Sequence, residues 1–155
     1  MKRLIVCLVL LCLTGGGSKA DVEFQRGNDF LDREDWATAI SCYTEVIRLD
    51  PNYARAYISR GVDYNAKGEH DRAIADCTEA IRLDPNDTLA YFSRGVAYDR
   101  KGETDKAIAD WTEAIRLDPN DGRDYYNRGI AYEEIGDKAK AAADFAKAKQ
   151  LGFEP

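Results

Sequence analysis

Histidine is all but missing from this chain: His70 is the only one among 155 residues, and two of the four cysteines, Cys7 and Cys12, fall within the first dozen positions. A zinc site needs three or four nitrogen or sulfur ligands converging on one point, and His70 with the scattered Cys42 and Cys77 does not supply them. No serine, cysteine or lysine has a base at a spacing that would activate it as a nucleophile. Catalytic residues, metal ligands, cofactors and a small-molecule substrate are therefore not expected. Two cysteines beyond the first dozen residues are too few for a disulfide framework, and Cys42 and Cys77 read as small, semi-buried residues. Phosphate-cradling glycine loops are also lacking, because Gly15-Gly16-Gly17 adjoins an apolar run and the other glycines recur at regular intervals. No apolar run exceeds ten residues, whereas a bilayer span needs about 20.

Basic residues are outnumbered, 22 against 28 acidic. The first nineteen residues have the layout of a secretory signal peptide: Lys2 and Arg3, the apolar run Leu4 to Leu13, then small residues at Ser18 and Ala20, with cleavage expected near Ala20. The expected location is exported, periplasmic or secreted, the alternative being a membrane anchor through an uncleaved leader or a lipid on Cys12. Without that leader the chain keeps 19 basic and 28 acidic residues, a net charge of −9. A surface so negative repels phosphate backbones, so nucleic acid is not an expected partner.

What fills the rest of the chain is repetition. Tyr57–Asn86 and Tyr91–Asn120 align without a gap, both end in Leu-Asp-Pro-Asn, and Pro51, Pro85 and Pro119 are evenly spaced. Units with the period of those prolines fall at 20–53, 54–87, 88–121 and 122–155. Within each, two stretches show helical periodicity. In the third unit Tyr91, Arg94, Gly95 and Tyr98 mark one face of a first helix, and Lys101-Gly102 stops it. Asp105 places negative charge at the start of the second helix, whose buried stripe is Ala107, Ile108, Trp111, Ala114 and Ile115. Pro119 ends that helix, and Asn120 is expected to cap the next one.

These positions resemble the tetratricopeptide repeat family, whose helix–turn–helix unit of about 34 residues has fixed small and aromatic positions. The matching residues are Tyr57, Tyr91 and Tyr125; Gly27, Gly61, Gly95 and Gly129; Phe30, Tyr64, Tyr98 and Tyr132; Ala39, Ala73, Ala107 and Ala141; and Tyr43, Trp111 and Phe145, with Cys77 departing. The resemblance implies an all-α, right-handed solenoid of four antiparallel helix pairs. It also implies a protein- or peptide-binding scaffold whose first helices line a concave groove. The groove residues it indicates are Phe24, Asn28, Arg55, Ile58, Ser59, Val62, Leu89, Phe92, Ser93, Val96, Arg123, Tyr126, Asn127 and Ile130. A second possibility is a structural subunit that associates with itself or with an envelope assembly. The set by which some family members clamp a partner's terminal carboxylate is matched only at Asn28 and in part at Arg123 and Asn127.

Two departures from the family pattern are informative. Arg26, Arg60, Arg94 and Arg128 precede the four repeat glycines, where leucine is usual. In three repeats an aspartate follows the arginine at one constant offset, which predicts the ion pairs Arg60–Asp76, Arg94–Asp110 and Arg128–Asp144. In the fourth repeat Ala142 and Lys149 replace isoleucines that should face a following unit, which reads as a capping repeat. Leu151 and Phe153 stay apolar, suited to folding back or to self-association.

Overall fold

A computed structural model describes residues 17–153. The leader residues Lys2 to Leu13, with Cys7 and Cys12, lie outside the described residues. Eight helices and no strand occur among the described residues: α1 Lys19–Leu31, α2 Trp36–Leu49, α3 Ala54–Ala66, α4 His70–Leu83, α5 Thr88–Arg100, α6 Thr104–Leu117, α7 Gly122–Glu134 and α8 Lys138–Gln150. None is long and apolar enough to cross a membrane.

Each odd-numbered helix packs on the even one that follows it, each even helix packs on the next odd one, and α3 also touches α5. The result is an all-α solenoid of four helix pairs. Alanine makes the close approach possible: Ala39, Ala73 and Ala107 are wholly buried, and Ala141 nearly so, on the second helices. The repeat glycines serve the same end from the first helices. A β-carbon on Gly95 would stand 2.7 Å from Nε1 of Trp111, and one on Gly27 2.5 Å from the Tyr43 ring. At Gly61 the nearest atom is Sγ of Cys77 at 3.0 Å. The cysteine that breaks the aromatic pattern leaves more room in that pair. Cys42 and Cys77 are both free thiols, and they are buried where the sequence suggested semi-buried residues.

Between the helices of a pair the chain turns through a left-handed residue, which glycine adopts without steric cost. Gly68, Gly102 and Gly136 take it with φ of 77°, 74° and 82°, whereas the first repeat forces Glu34 there at φ 59°. The start of α7 corrects one sequence expectation: its cap is Asp121, whose carboxylate accepts the Arg123 N–H at 2.9 Å. Asn120 lies one residue too early for that role; its own N–H donates to the Asp118 carboxylate at 3.0 Å within the turn. Asp87 caps α5 in the same way. At α1, Ser18 and Asp21 form a reciprocal capping box.

All three predicted ion pairs form. Arg60, Arg94 and Arg128 each hold their aspartate through two parallel bonds, Nε to Oδ2 and Nη2 to Oδ1, every one 2.8 Å long. The third guanidinium nitrogen, Nη1, reaches back to a threonine on the preceding repeat, from Arg60 to Thr44 at 3.0 Å, from Arg94 to Thr78 at 3.1 Å and from Arg128 to Thr112 at 3.1 Å. Two tyrosine rings flank each guanidinium, Tyr57 and Tyr64, Tyr91 and Tyr98, Tyr125 and Tyr132, with centroids 5.7 to 6.0 Å away. The side-chain hydrogen bonds to the aspartates hold all three arginines above their ordinary pKa. Arg26 has no such partner, because Cys42 occupies the aspartate position; it makes one 3.5 Å contact with Glu23 and stays largely exposed. Arg60, Arg94 and Arg128 thus tie the two helices of their own repeat together.

Candidate binding groove

The odd helices stand side by side because each is flanked by the second helices, so their outer faces form one continuous surface. At its N-terminal half is a recess of about 220 Å³ lined by Phe24 and Asn28 from α1, Arg55, Ile58 and Ser59 from α3, and Asp87 and Leu89 at the start of α5. Six of these seven are residues the repeat register indicates. Asp87 is the one outside that set, though it stands one full repeat before the Asp121 cap, which marks it as the start of a first helix.

The recess has an apolar floor and a polar rim. Phe24 and Ile58 are nearly closed to solvent, at 3% and 4% exposure, while Leu89 is 44% exposed. Phe24 is therefore less available than the repeat register suggests: it packs between Tyr43 and Tyr53, at centroid distances of 5.5 and 5.2 Å. Asn28 accepts the Tyr43 hydroxyl proton at 2.8 Å through Oδ1, which fixes the amide and leaves its NH2 for another partner. Burial above all, with Asp63 nearby, pushes the Tyr43 phenol up to about 12, so it stays a donor.

A ridge runs along the same surface at equivalent positions of successive repeats. The Arg55 guanidinium lies 5.3 Å from the Phe24 ring centre, and the Arg123 guanidinium lies 5.3 Å from that of Phe92. Leu89 holds the corresponding place between them. Both arginines are exposed, and Arg123 is also tied to Asp121 at 2.6 Å.

The remaining indicated residues divide by burial. Val62 is exposed, and Phe92, Val96, Asn127 and Ile130 are half-buried. Ser93 is buried at 3%, so its hydroxyl is not a free groove contact; separately, its backbone carbonyl accepts from Nδ2 of Asn65 at 3.0 Å. Tyr126 is covered by the chain's own tail. Phe153 folds back to 5.4 Å from its ring, Phe145 flanks it at 5.6 Å, and Gly122 lies beneath Phe153. Helical periodicity cannot show such coverage, since Phe153 lies beyond the last helix. Phe153 thus shields part of Tyr126 at the fourth repeat, while the recess lies at the first three.

Tetratricopeptide repeat models match residues 24–88, 88–121 and 111–143. Among curated proteins the chain is similar to small glutamine-rich tetratricopeptide repeat-containing protein beta of Rattus norvegicus, Mus musculus and Homo sapiens, at 45% identity over 42 residues. That match spans 27% of this chain and 14% of the length of those relatives. Among solved structures it is similar to MamA, at 30% identity over 86% of this chain and 78% of the other, with a TM-score of 0.82. It is also similar to the first tetratricopeptide repeat domain of Spaghetti (RPAP3), solved with the HSP90 peptide SRMEEVD. That likeness has 26% identity, covers 76% of this chain and 95% of the other, and gives a TM-score of 0.74.

Proposed function

Because the chain belongs to the tetratricopeptide repeat family, we propose that it is a non-enzymatic scaffold that captures an extended or helical protein segment on the face of α1, α3 and α5, in an exported compartment. The observation that carries this reading is the recess between Phe24, Ile58 and Leu89, rimmed by Asn28, Ser59, Arg55 and Asp87. Its size and lining suit one apolar side chain of a partner, with the amide and hydroxyl placed for the partner's backbone. Compartment and leader cleavage rest on the layout of the first nineteen residues alone.

The test is capture from the exported fraction by the full-length chain, compared with Leu89→Asp and Arg55→Glu. Both residues are exposed, so the fold should survive; loss of a retained protein in both variants supports the groove, and unchanged capture overturns it. A self-associating subunit is the second reading. Val22, on the outer face of α1, is 53% exposed at the position where Ala56 and Ala90 are fully buried against a preceding repeat. Solution mass by light scattering separates the two readings: a monomer unaffected by Val22→Glu rejects self-association through this face.

A further inference from the structure

Successive repeats meet along three seams, and the two outer ones each contain a buried carboxylic acid at a position where the middle seam has alanine. At one seam position the later repeats have Ala97 and Ala131, both wholly buried, and the second repeat has Asp63, also wholly buried. At another the middle repeats have Ala56 and Ala90, wholly buried, and the fourth has Asp124 at 2% exposure. Ala131 packs with Ala107 and Trp111 of the preceding repeat, and Ala90 with Ala80 and Ile58, so these positions lie between repeats and not within one. Both oxygens of Asp63 and Oδ1 of Asp124 are buried without a hydrogen-bond partner. This sets them apart from Asp76, Asp110 and Asp144, whose burial is matched by arginine. The seam between the second and third repeats has alanine at both positions, Ala90 and Ala97.

We propose that the two outer seams are proton-operated: when Asp63 and Asp124 take up protons, the first and fourth repeats seat more firmly on the central pair. A buried carboxylate without a donor is costly, and the neutral acid is much less so. The titratable group facing Asp63 is Tyr43 of α2, and no neighbouring charge offsets its burial, which alone pushes its pKa up to about 6. Asp124 is pushed up to about 7, by burial first and then by Asp121 and Asp118, against the opposing pull of Arg123 and Arg128. In the unfolded chain both titrate near 3.8. The folded form thus binds more protons than the unfolded form between about pH 4 and 7, so lowering the pH through that window stabilises it. Carboxylates held low by partners, such as Glu103, act in the opposite sense, but their contribution is lost mainly once the unfolded chain takes up protons near pH 4.5 and below, which is why the acid limit of the measurement is pH 5.

The experiment is thermal unfolding of the full-length chain from pH 8 to pH 5, with hydrogen exchange resolved by helix and corrected for intrinsic rates. For the wild type, Tm should rise by about 4 °C or more on acidification, and exchange in α1, α2, α7 and α8 should slow about tenfold, with little change in α4 and α5. The double variant Asp63→Ala, Asp124→Ala should start with a higher Tm at pH 8 and lose the slope. Asp63→Asn with Asp124→Asn, neutral at every pH, should also lose the slope and start above the wild type at pH 8, by less than the alanine pair because the buried amide still lacks partners, which separates titration from packing. A flat wild-type profile, or a slope that survives either double variant, overturns the proposal.

Discussion

Arg94 and Asp110 face each other across a single helix pair through two 2.8 Å hydrogen bonds, and both side chains are mostly shielded from water. Removing one partner leaves the other charged and poorly solvated. Arg94→Ala should therefore cost about 3 kcal/mol, whereas Arg26→Ala, which leaves no buried charge behind, should cost less than about 0.5 kcal/mol. Denaturant titration of the two variants checks the contrast, and equal losses would contradict the pairing argument.

The vacant rung at the first repeat can be filled. Cys42→Asp places a carboxylate at the same offset from Arg26 that the other three pairs use, and should stabilise the chain by about 1 kcal/mol. The gain should vanish when Arg26→Ala is added, and a double-mutant cycle reads it directly.

Glycine at the helix crossing is required to a different degree in different repeats. Gly95→Ala drives a methyl into Trp111 and should lower stability by about 2 kcal/mol. Gly61→Ala meets the Cys77 thiol at 3.0 Å and the Ala73 carbonyl oxygen at 3.4 Å, a milder crowding that the helical preference for alanine, about 1 kcal/mol, should bring close to neutral. Melting curves of both variants at one pH decide the point.

Glu34 holds a backbone conformation that its sister positions assign to glycine. Glu34→Gly should stabilise by about 1 kcal/mol, seen as a higher denaturant midpoint with an unchanged slope. A loss would mean that the Glu34 side chain makes a contact worth more than the strain.

The architecture was legible in the sequence because the constant period and the paired offsets each impose one geometry. An arginine and an aspartate at a fixed offset within a two-helix unit have few other ways to meet. The threonine that completes each rung lies at an equally regular offset, but hydroxyls accept from many donors, so the spacing alone did not single it out. The groove was legible only in outline. Which face α1, α3 and α5 present follows from periodicity, but how deeply Phe24, Ile58 and Ser93 sink depends on the rotation between neighbouring repeats. The covering of Tyr126 by Phe153 depends on a segment outside any periodic pattern. Asp63 and Asp124 stand where the third repeat has Ala97 and Ala90, but their cost emerges only once those positions are seen to be buried.

Both members of each arginine–aspartate pair belong to the same repeat unit, and only the threonine tether crosses to a neighbour. In-frame duplication or loss of a whole unit would thus carry acid and base together, and any adjoining unit with a hydroxyl at the same place could renew the tether. Either change would leave no buried charge stranded.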